Sequence, residues 1–498
     1  MMLRLAGRSI PADPGLAVRV LRAEVVGLPR PLRLWLGGLA AILLVAAVAA
    51  VRALFPGDKA LNTTPTFEWG LLIVGYVFFA ITTSGLCLAS SLGTVFGIER
   101  FRPLEKRHAI LAVLSLCTAF GIIALDLHYP VRMVFGAVFN PSPSSPMWWM
   151  GVFYGIYLGC LLTEVWSMFF GHPTIHQAAC VASSVMAVIA PSTLGAVFGV
   201  IAARPFWSGP FTPLLMVSSA FVSGTALLGI VFYAVCRFEL AGVERARRLA
   251  VPAIRSLLLV GLGLVSLLVL RQTAAGWLSA DPLLVASTRA LLVGPLALPY
   301  WTMRIVGGLV LPAVILVVPW GRTPAGVLAA AVLAMAGVFT DRLTFVMAGQ
   351  IAPAGAVAGT VSAPWAWYVP SPVEVAILLG AFALVAFVYT LAERYLDLRE
   401  ADAHVGMSLH LPGLARVRAL VSLARRGRVA SEPLDVAAAP GPTPAVMVTV
   451  PAAAEPVVAT EAVVAAEPVV FGDPIPVPPA IVAAEPVVVA SAPVRPEP

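Results

Sequence analysis

Charge is scarce in this chain. Only 11% of its 498 residues are Asp, Glu, Lys or Arg, whereas 60% are hydrophobic and the mean hydropathy is +0.94. A soluble domain carries about 25% charged residues, so an ordinary water-soluble fold is excluded. Cysteine is sparse as well. Cys87, Cys117, Cys160, Cys180 and Cys236 each lie within or at the end of an apolar run, with no CxxC spacing among them. They read as small buried hydrophobes rather than as an iron–sulfur or zinc framework. The six histidines are His108, His128, His172, His176, His404 and His410, all at the ends of apolar runs, in loops or in the tail. No two of them face each other at mid-membrane depth, where the axial ligands of a membrane haem would stand. A nucleotide-binding loop, a Ser–His–Asp arrangement and a metal-spaced histidine cluster are all missing. The chain is therefore expected to carry no haem, iron–sulfur cluster or metal of its own. The net charge of +7 is read as a topology signal, with no nucleic acid as partner.

Long apolar runs are abundant instead. Crossing about 30 Å of hydrocarbon takes about 20 apolar residues. Ten runs qualify, at 34–54, 69–97, 109–127, 147–170, 178–202, 212–236, 256–275, 296–318, 324–346 and 373–392. The seventh is the weakest because Arg271 interrupts its end, and 278–294 reads as an amphipathic surface helix. The expected fold is an all-α integral membrane protein of ten transmembrane helices. Helices two to five and six to nine would form two four-helix bundles, with helices one and ten flanking them. Residues 1–33 form a basic arm, 34–395 the membrane domain and 396–428 a basic segment. From 429 to 498 Ala, Val, Pro and Glu dominate, with Ala-Ala-Glu-Pro-Val-Val repeated at 453, 465 and 483. So many prolines leave no core to build, and a disordered tail is expected. No removable signal peptide is evident, and the first apolar run reads as an anchor. With the N-terminus inside, three-quarters of the Lys and Arg fall on inner segments, which puts both termini in the cytoplasm.

Few ionisable groups enter the apolar runs, and those that do cluster at helix ends. Asp126-Leu-His-Tyr-Pro-Val-Arg132 links the third run to the fourth, which opens Met147-Trp-Trp-Met-Gly-Val-Phe-Tyr154. On this topology Glu68, Asp126, His128, Arg132, Arg204, Arg304, Asp341, Arg342 and Glu374 all gather at the outer face, and the inner half holds one comparable group, Glu164. Charges converging at one depth suggest a pocket or proton path open to the outer side. The plainer alternatives are an aromatic belt, with Arg132 snorkelling to headgroups, and structural ion pairs such as Asp126 with Arg132 or Asp341 with Arg342. Ten helices with kinks and intramembrane charge also fit a secondary transporter whose substrate site lies among the outer charges.

Several motifs taken together resemble one family. They are Ala190-Pro-Ser-Thr-Leu-Gly-Ala-Val-Phe-Gly199, Ala203-Arg-Pro-Phe-Trp-Ser-Gly-Pro210 and Ser219-Ala-Phe-Val-Ser-Gly224, joined by the Asp126–Arg132 segment, Met147–Tyr154 and Tyr368-Val-Pro-Ser-x-x-Glu374. The set resembles the NrfD/PsrC family, the integral membrane subunits of polysulfide, nitrite and related respiratory reductases. Ten crossings resemble its longer branch, with the HybB-type hydrogenase anchor and the DsrP-type subunit. The resemblance implies a menaquinone or ubiquinone site near the outer face of a bacterial cytoplasmic membrane. It also implies a ferredoxin-like iron–sulfur partner, and through it a molybdopterin enzyme or multihaem cytochrome. Such a chain would react with quinone only with its partner subunits, and proton translocation is a further expectation. Asp126 and His128 are the candidate catalytic pair. Glu68, Arg132, Trp149, Tyr154, Arg204 and Tyr300 are candidate quinone-binding residues, and Glu164 and Tyr157 a candidate proton path. An acidic residue is expected beside the aromatic pair of the eighth run, but Met303-Arg304 stands there.

The charge map makes a direct prediction. Reporters fused after Arg237 or Arg428 are expected in the cytoplasm, and one fused near Asn140 outside. Reversed labelling at any of these would overturn the topology.

Overall fold

The computed structural model describes residues 3–5, 8–10, 29–54, 60–65, 67–98, 101, 105–127, 139, 141–238, 243–352, 365–366 and 368–396. Among these are ten helices long and apolar enough to cross a membrane. A short antiparallel pairing of β1 (Leu3–Leu5) with β2 (Arg8–Ile10) precedes them. The helices are α1 (Arg30–Leu54), α2 (Leu71–Thr94), α3 (Glu105–Asp126), α4 (Pro146–Phe170), α5 (Pro173–Gly199), α6 (Phe211–Phe238) and α7 (Val243–Trp277). The expected extra helix follows as α8 (Pro282–Leu292), capped by Asp281, whose carboxylate accepts from the Leu283 amide at 2.9 Å. Then come α9 (Ala297–Val317), α10 (Pro324–Ile351) and α11 (Pro372–Tyr395). Residues 429–498 lie outside the described residues, so the expected tail is not seen.

The helices pack largely as the apolar pattern demands. Helices α2 to α5 pack around one another, and α6, α7, α9 and α10 form the second bundle. Helix α1 lies along α11, and α11 also rests on α3. The seam between bundles is formed where α6 meets α2 and α5, with α10 also touching α2, and α2 is buried along almost its whole length. The outer surface is apolar, with Leu44, Ile156, Val188 and Leu267 all exposed, as a lipid-facing surface requires. Cys87 and Cys180 are buried as expected, but Cys117 is exposed and Cys160 half-exposed. Their helices turn that face outward, and a thiol is apolar enough to stay there.

Apolar burial drives little association once helices are in lipid, so close backbone contact has to hold the seam. Gly85 and Gly224 provide it. A Cβ on Gly85 would stand 1.7 Å from the Ala220 carbonyl oxygen, and one on Gly224 would stand 1.9 Å from the Gly85 carbonyl carbon. Gly308 and Gly337 make the matching contact between α9 and α10, with a Cβ on Gly337 2.2 Å from the Gly308 Cα.

Helix α9 is not uniform. Its middle, Tyr300–Val310, winds as a π-helix for 11 residues. Segments of this kind are rare and concentrate at functional sites.

Gly85→Val is expected to lose most of the folded protein, because the clash is with backbone that cannot give way. Overpacking alone costs about 1–3 kcal/mol. Gly121→Val, on a face with nothing within 4 Å, should be silent. Yield and monodispersity on size exclusion in detergent would distinguish them, and equal behaviour would disprove the seam.

Candidate functional site

Two ends of the bundle can be told apart by their residues, one carrying Trp69 and the other Glu105. At the Trp69 end four segments converge. Gly70, which caps α2, has no side chain, and a Cβ there would stand 2.6 Å from Glu374 Oε1 and 2.7 Å from the Tyr368 hydroxyl. That closeness lets Tyr368 accept from the Leu71 amide at 2.8 Å and donate to Glu374 Oε1. Glu374, fully buried, accepts from the Ser371 amide at 2.6 Å while Ser371 Oγ accepts from the Glu374 amide at 3.1 Å, a reciprocal cap that opens α11. Gln350 clamps Trp69 from both sides, accepting from its amide at 2.9 Å and donating to its carbonyl at 3.0 Å. Trp69 stacks on Trp207 with centroids 4.8 Å apart, and Trp207 lies where only glycine can stand at 349. Burial and the Glu374 carboxylate push the Tyr368 phenol well up, and the charge of Asp126 adds to that. Asp126 itself is half-buried at the end of α3.

A file of polar groups runs down the first bundle from there. Tyr154, Tyr157, Glu164 and Ser167 share one buried stripe of α4 at helical spacing. The Tyr157 hydroxyl donates to the Thr83 carbonyl at 3.3 Å. The Tyr154 hydroxyl and its neighbour Ser84 are buried, and neither has a protein partner of normal geometry. Lower down, Glu164 accepts from Ser183 Oγ at 2.8 Å and meets His108 Nε2 at 3.1 Å. Below it, Ser167 Oγ reaches His176 Nδ1 at 3.4 Å, and His176 Nε2 meets Glu105 at 2.8 Å. This file spans α2, α3, α4 and α5 and ends half-exposed at Glu105. The file is interrupted at the tyrosines and again between the Glu164 carboxylate and Ser167, whose hydroxyl donates to the Glu164 backbone carbonyl.

The second bundle holds charge of another kind. Asp341 pairs with Arg304 across from α9 and with its neighbour Arg342. Arg342 also donates to Ser219 Oγ at 3.0 Å, and Arg304 lies 5.1 Å over the Tyr300 ring. The Tyr300 hydroxyl shares a hydrogen bond with Thr273 at 2.8 Å. All three charges are buried. A half-open crevice near this bundle is lined by Phe206, Phe211, Arg271 and Gln272 among others, and none of the expected quinone residues lines it.

A match to the model of the polysulphide reductase NrfD family covers residues 59–354, more than half of the chain. The chain belongs to the NrfD family. Among its relatives is a candidate dimethyl sulfoxide reductase membrane subunit of Halobacterium salinarum, 25% identical over 406 residues, covering 74% of this chain and 92% of that protein. Another is the Hdr-like menaquinol oxidoreductase integral membrane subunit of Archaeoglobus fulgidus, 23% identical, covering 64% of this chain and 82% of the relative. A selenate reductase subunit of Mesobacillus selenatarsenatis is 25% identical, over 39% of this chain and 55% of its own length.

Within this NrfD chain the expected site residues separate. Tyr154, Tyr157 and Glu164 lie together in the first bundle. Asp126 stands half-buried at the last position of α3, while His128 and Arg132 lie outside the described residues. Glu68 is exposed, because the turn bridging Thr64 and Phe67 leaves it outside the helix cap. Trp149 is 41% exposed, its indole donating to the Pro143 carbonyl at 2.8 Å, as an interfacial belt residue does. Arg204 donates to the Ala352 carbonyl at 3.0 Å and ties a loop to the end of α10. Tyr300 belongs to the second bundle.

The expectation that the charges gather at one depth is corrected. Arg304, Asp341 and Arg342 lie deeper than Glu374, since Arg342 is nine residues inside the end of α10, roughly 14 Å at helical rise. The expectation that Glu164 stands alone in its half is corrected too. His108 and His176 are buried beside it, and Arg107 pairs with Glu393 at 2.8 Å. These histidines lie in first turns, which the apolar pattern places in a headgroup region, but tertiary packing covers them. Glu105 with His176 was equally out of reach, since 71 residues separate them.

Asp341→Asn should leave two buried guanidiniums facing a neutral group. Removing one partner of a buried pair costs about 3–5 kcal/mol. The thermal midpoint of the purified protein should fall well below that of Glu68→Gln, whose side chain is exposed. Matching midpoints would contradict the pairing.

Proposed function

We propose that this chain is the quinone-interacting membrane subunit of a respiratory oxidoreductase complex. Membership of NrfD supports the general role, as do relatives named as reductase and menaquinol oxidoreductase membrane subunits. On this reading the Trp69 end faces outward, both termini are cytoplasmic, and the membrane is the bacterial cytoplasmic one. A quinone headgroup binds near the Trp69 end of the first bundle, above Tyr154. A ferredoxin-like iron–sulfur subunit docks over it and connects to a molybdopterin enzyme or multihaem cytochrome. Exposed Glu68 suits the rim of that docking surface better than the pocket itself.

The observation carrying this reading is the buried polar file of Tyr154, Tyr157, Glu164 and His108 inside the first bundle. Polar side chains inside a membrane bundle are expensive, and those without protein partners serve function by default. Quinol oxidation releases two electrons and two protons, and quinone reduction takes up both. The electrons pass to or from the docked partner. Asp126 accepts or supplies a proton at the mouth, and His128, two residues on, has an unperturbed pKa of about 6.5 suited to the same exchange. The Tyr154 hydroxyl donates to a quinone oxygen, and Arg132, outside the described residues, is a candidate partner for the headgroup. Tyr157 and Glu164 pass protons toward the Glu105 end, making turnover capable of translocation. Tyr300, in the other bundle, stands outside this pocket and supports Arg304.

Asp126→Asn is expected to cut quinone-linked turnover of the assembled complex at least about tenfold, the low end of general acid–base effects. Tyr154→Phe removes a hydroxyl with no protein partner, so the fold should lose nothing, yet turnover should fall. Normal turnover in both variants, with the complex intact, would sink the proposal. Normal turnover in the first alone would return Asp126 to a structural part.

A further inference from the structure

We infer that Glu105, His176 and Cys180 form a binding site for a zinc-like divalent ion at the Glu105 end of the first bundle. The carboxylate, imidazole and thiol donor atoms all lie within 4.8 Å of one another. His176 and Cys180 are four residues apart on α5 and so share one face, while Glu105 comes from the first turn of α3.

The argument rests on what converges on one nitrogen. Glu105 Oε1 lies 2.8 Å from His176 Nε2, and Cys180 Sγ lies 3.4 Å from the same atom. A single N–H cannot serve both neighbours. On the far side of the ring, Nδ1 faces Ser167 Oγ at 3.4 Å, and that hydroxyl donates to the Glu164 carbonyl at 2.9 Å. With its own hydrogen committed, Ser167 Oγ is an acceptor toward Nδ1, which favours the Nδ1–H form. A neighbour that orients an imidazole in this way is the usual outer partner of a metal-binding histidine. Without an ion, Nε2 shares a proton with Glu105 at 2.8 Å, and a cation held by nitrogen, carboxylate and sulfur takes that proton's place.

The donor set selects the ion. Imidazole with thiolate suits zinc and similar borderline ions, whereas calcium and magnesium prefer oxygen alone. Binding displaces the Cys180 proton, and thiolate plus carboxylate then balance a charge of +2. Three protein ligands leave a fourth position for water. Cys180 is buried, and half-exposed Glu105 provides the way in. The site stands on these ligands alone and does not depend on proton transfer through Glu164.

The test uses the intact complex, stripped with chelator, given one equivalent of zinc and desalted. Zinc-edge X-ray absorption should show one sulfur at about 2.3 Å beside nitrogen and oxygen at about 2.0–2.2 Å. Cys180→Ser should lose the sulfur shell and weaken zinc binding at least about tenfold. Glu105→Gln, at a half-exposed position, should weaken it similarly and replaces Cys180→Ser if that variant does not assemble. Zinc lost on desalting, a coordination shell without sulfur, or unchanged affinity in the variants would overturn the site.

Discussion

A charge inside hydrocarbon has to find its compensation within the protein, because neither water nor lipid tails supply it. Three buried carboxylates organise this molecule under that constraint. Glu374 draws together the start of α11, the 60–62 segment and, through Tyr368, the start of α2. Glu164 on α4 gathers His108 of α3 and Ser183 of α5. Asp341 on α10 holds Arg304 of α9, while its neighbour Arg342 reaches Ser219 of α6. Shape matching at Gly85–Gly224 and Gly308–Gly337 brings backbones close, but a glycine contact tolerates sliding. Charged groups at fixed positions set the register that sliding would destroy.

The same physics explains what could be read from sequence. Ten crossings were legible because hydrocarbon thickness fixes the length of each run and leaves no alternative to helix. Even the weak seventh run forms a helix, and Arg271 near its end lies 3.4 Å over the Phe211 ring. The stripe from Tyr154 to Glu164 was legible for a related reason: polar residues at helical spacing stand out in an apolar run. Depth and partner were not legible. A charge eight residues from a helix end looks the same in one dimension whether it faces a pocket, lipid or a counter-charge. His108 and His176 needed α3, α4 and α5 packed together before their burial could be seen.

Arg304 illustrates how a departure from family pattern can be absorbed. Family likeness leads one to expect an acid beside Tyr300-Trp301, and this chain has a base. The acid comes instead from Asp341 on the facing helix. Arg304 stands inside the Tyr300–Val310 π segment, whose wider turn alters the angular position of each side chain relative to an α-helix. The Gly308–Gly337 approach then brings the two helices within reach of an ion pair. Base, π segment and glycine pair thus form one arrangement, and none of the three is explained alone.

The two bundles differ in the kind of polar group they bury. In the second, Asp341 is saturated by two guanidiniums, and Tyr300 has Thr273. This cluster links α9, α10 and α6 through charge. In the first, the Tyr154 and Ser84 hydroxyls and His108 Nδ1 are buried without a hydrogen bond of normal geometry, and in the second the same holds for Arg304 Nε and Arg342 Nε, whose other nitrogens reach Asp341. Each unpaired group costs about 1–3 kcal/mol, and replacing the hydroxyls by Phe or Ala would remove that cost without disturbing packing. The groups of the first bundle lie in file between Asp126 at one end and Glu105 at the other.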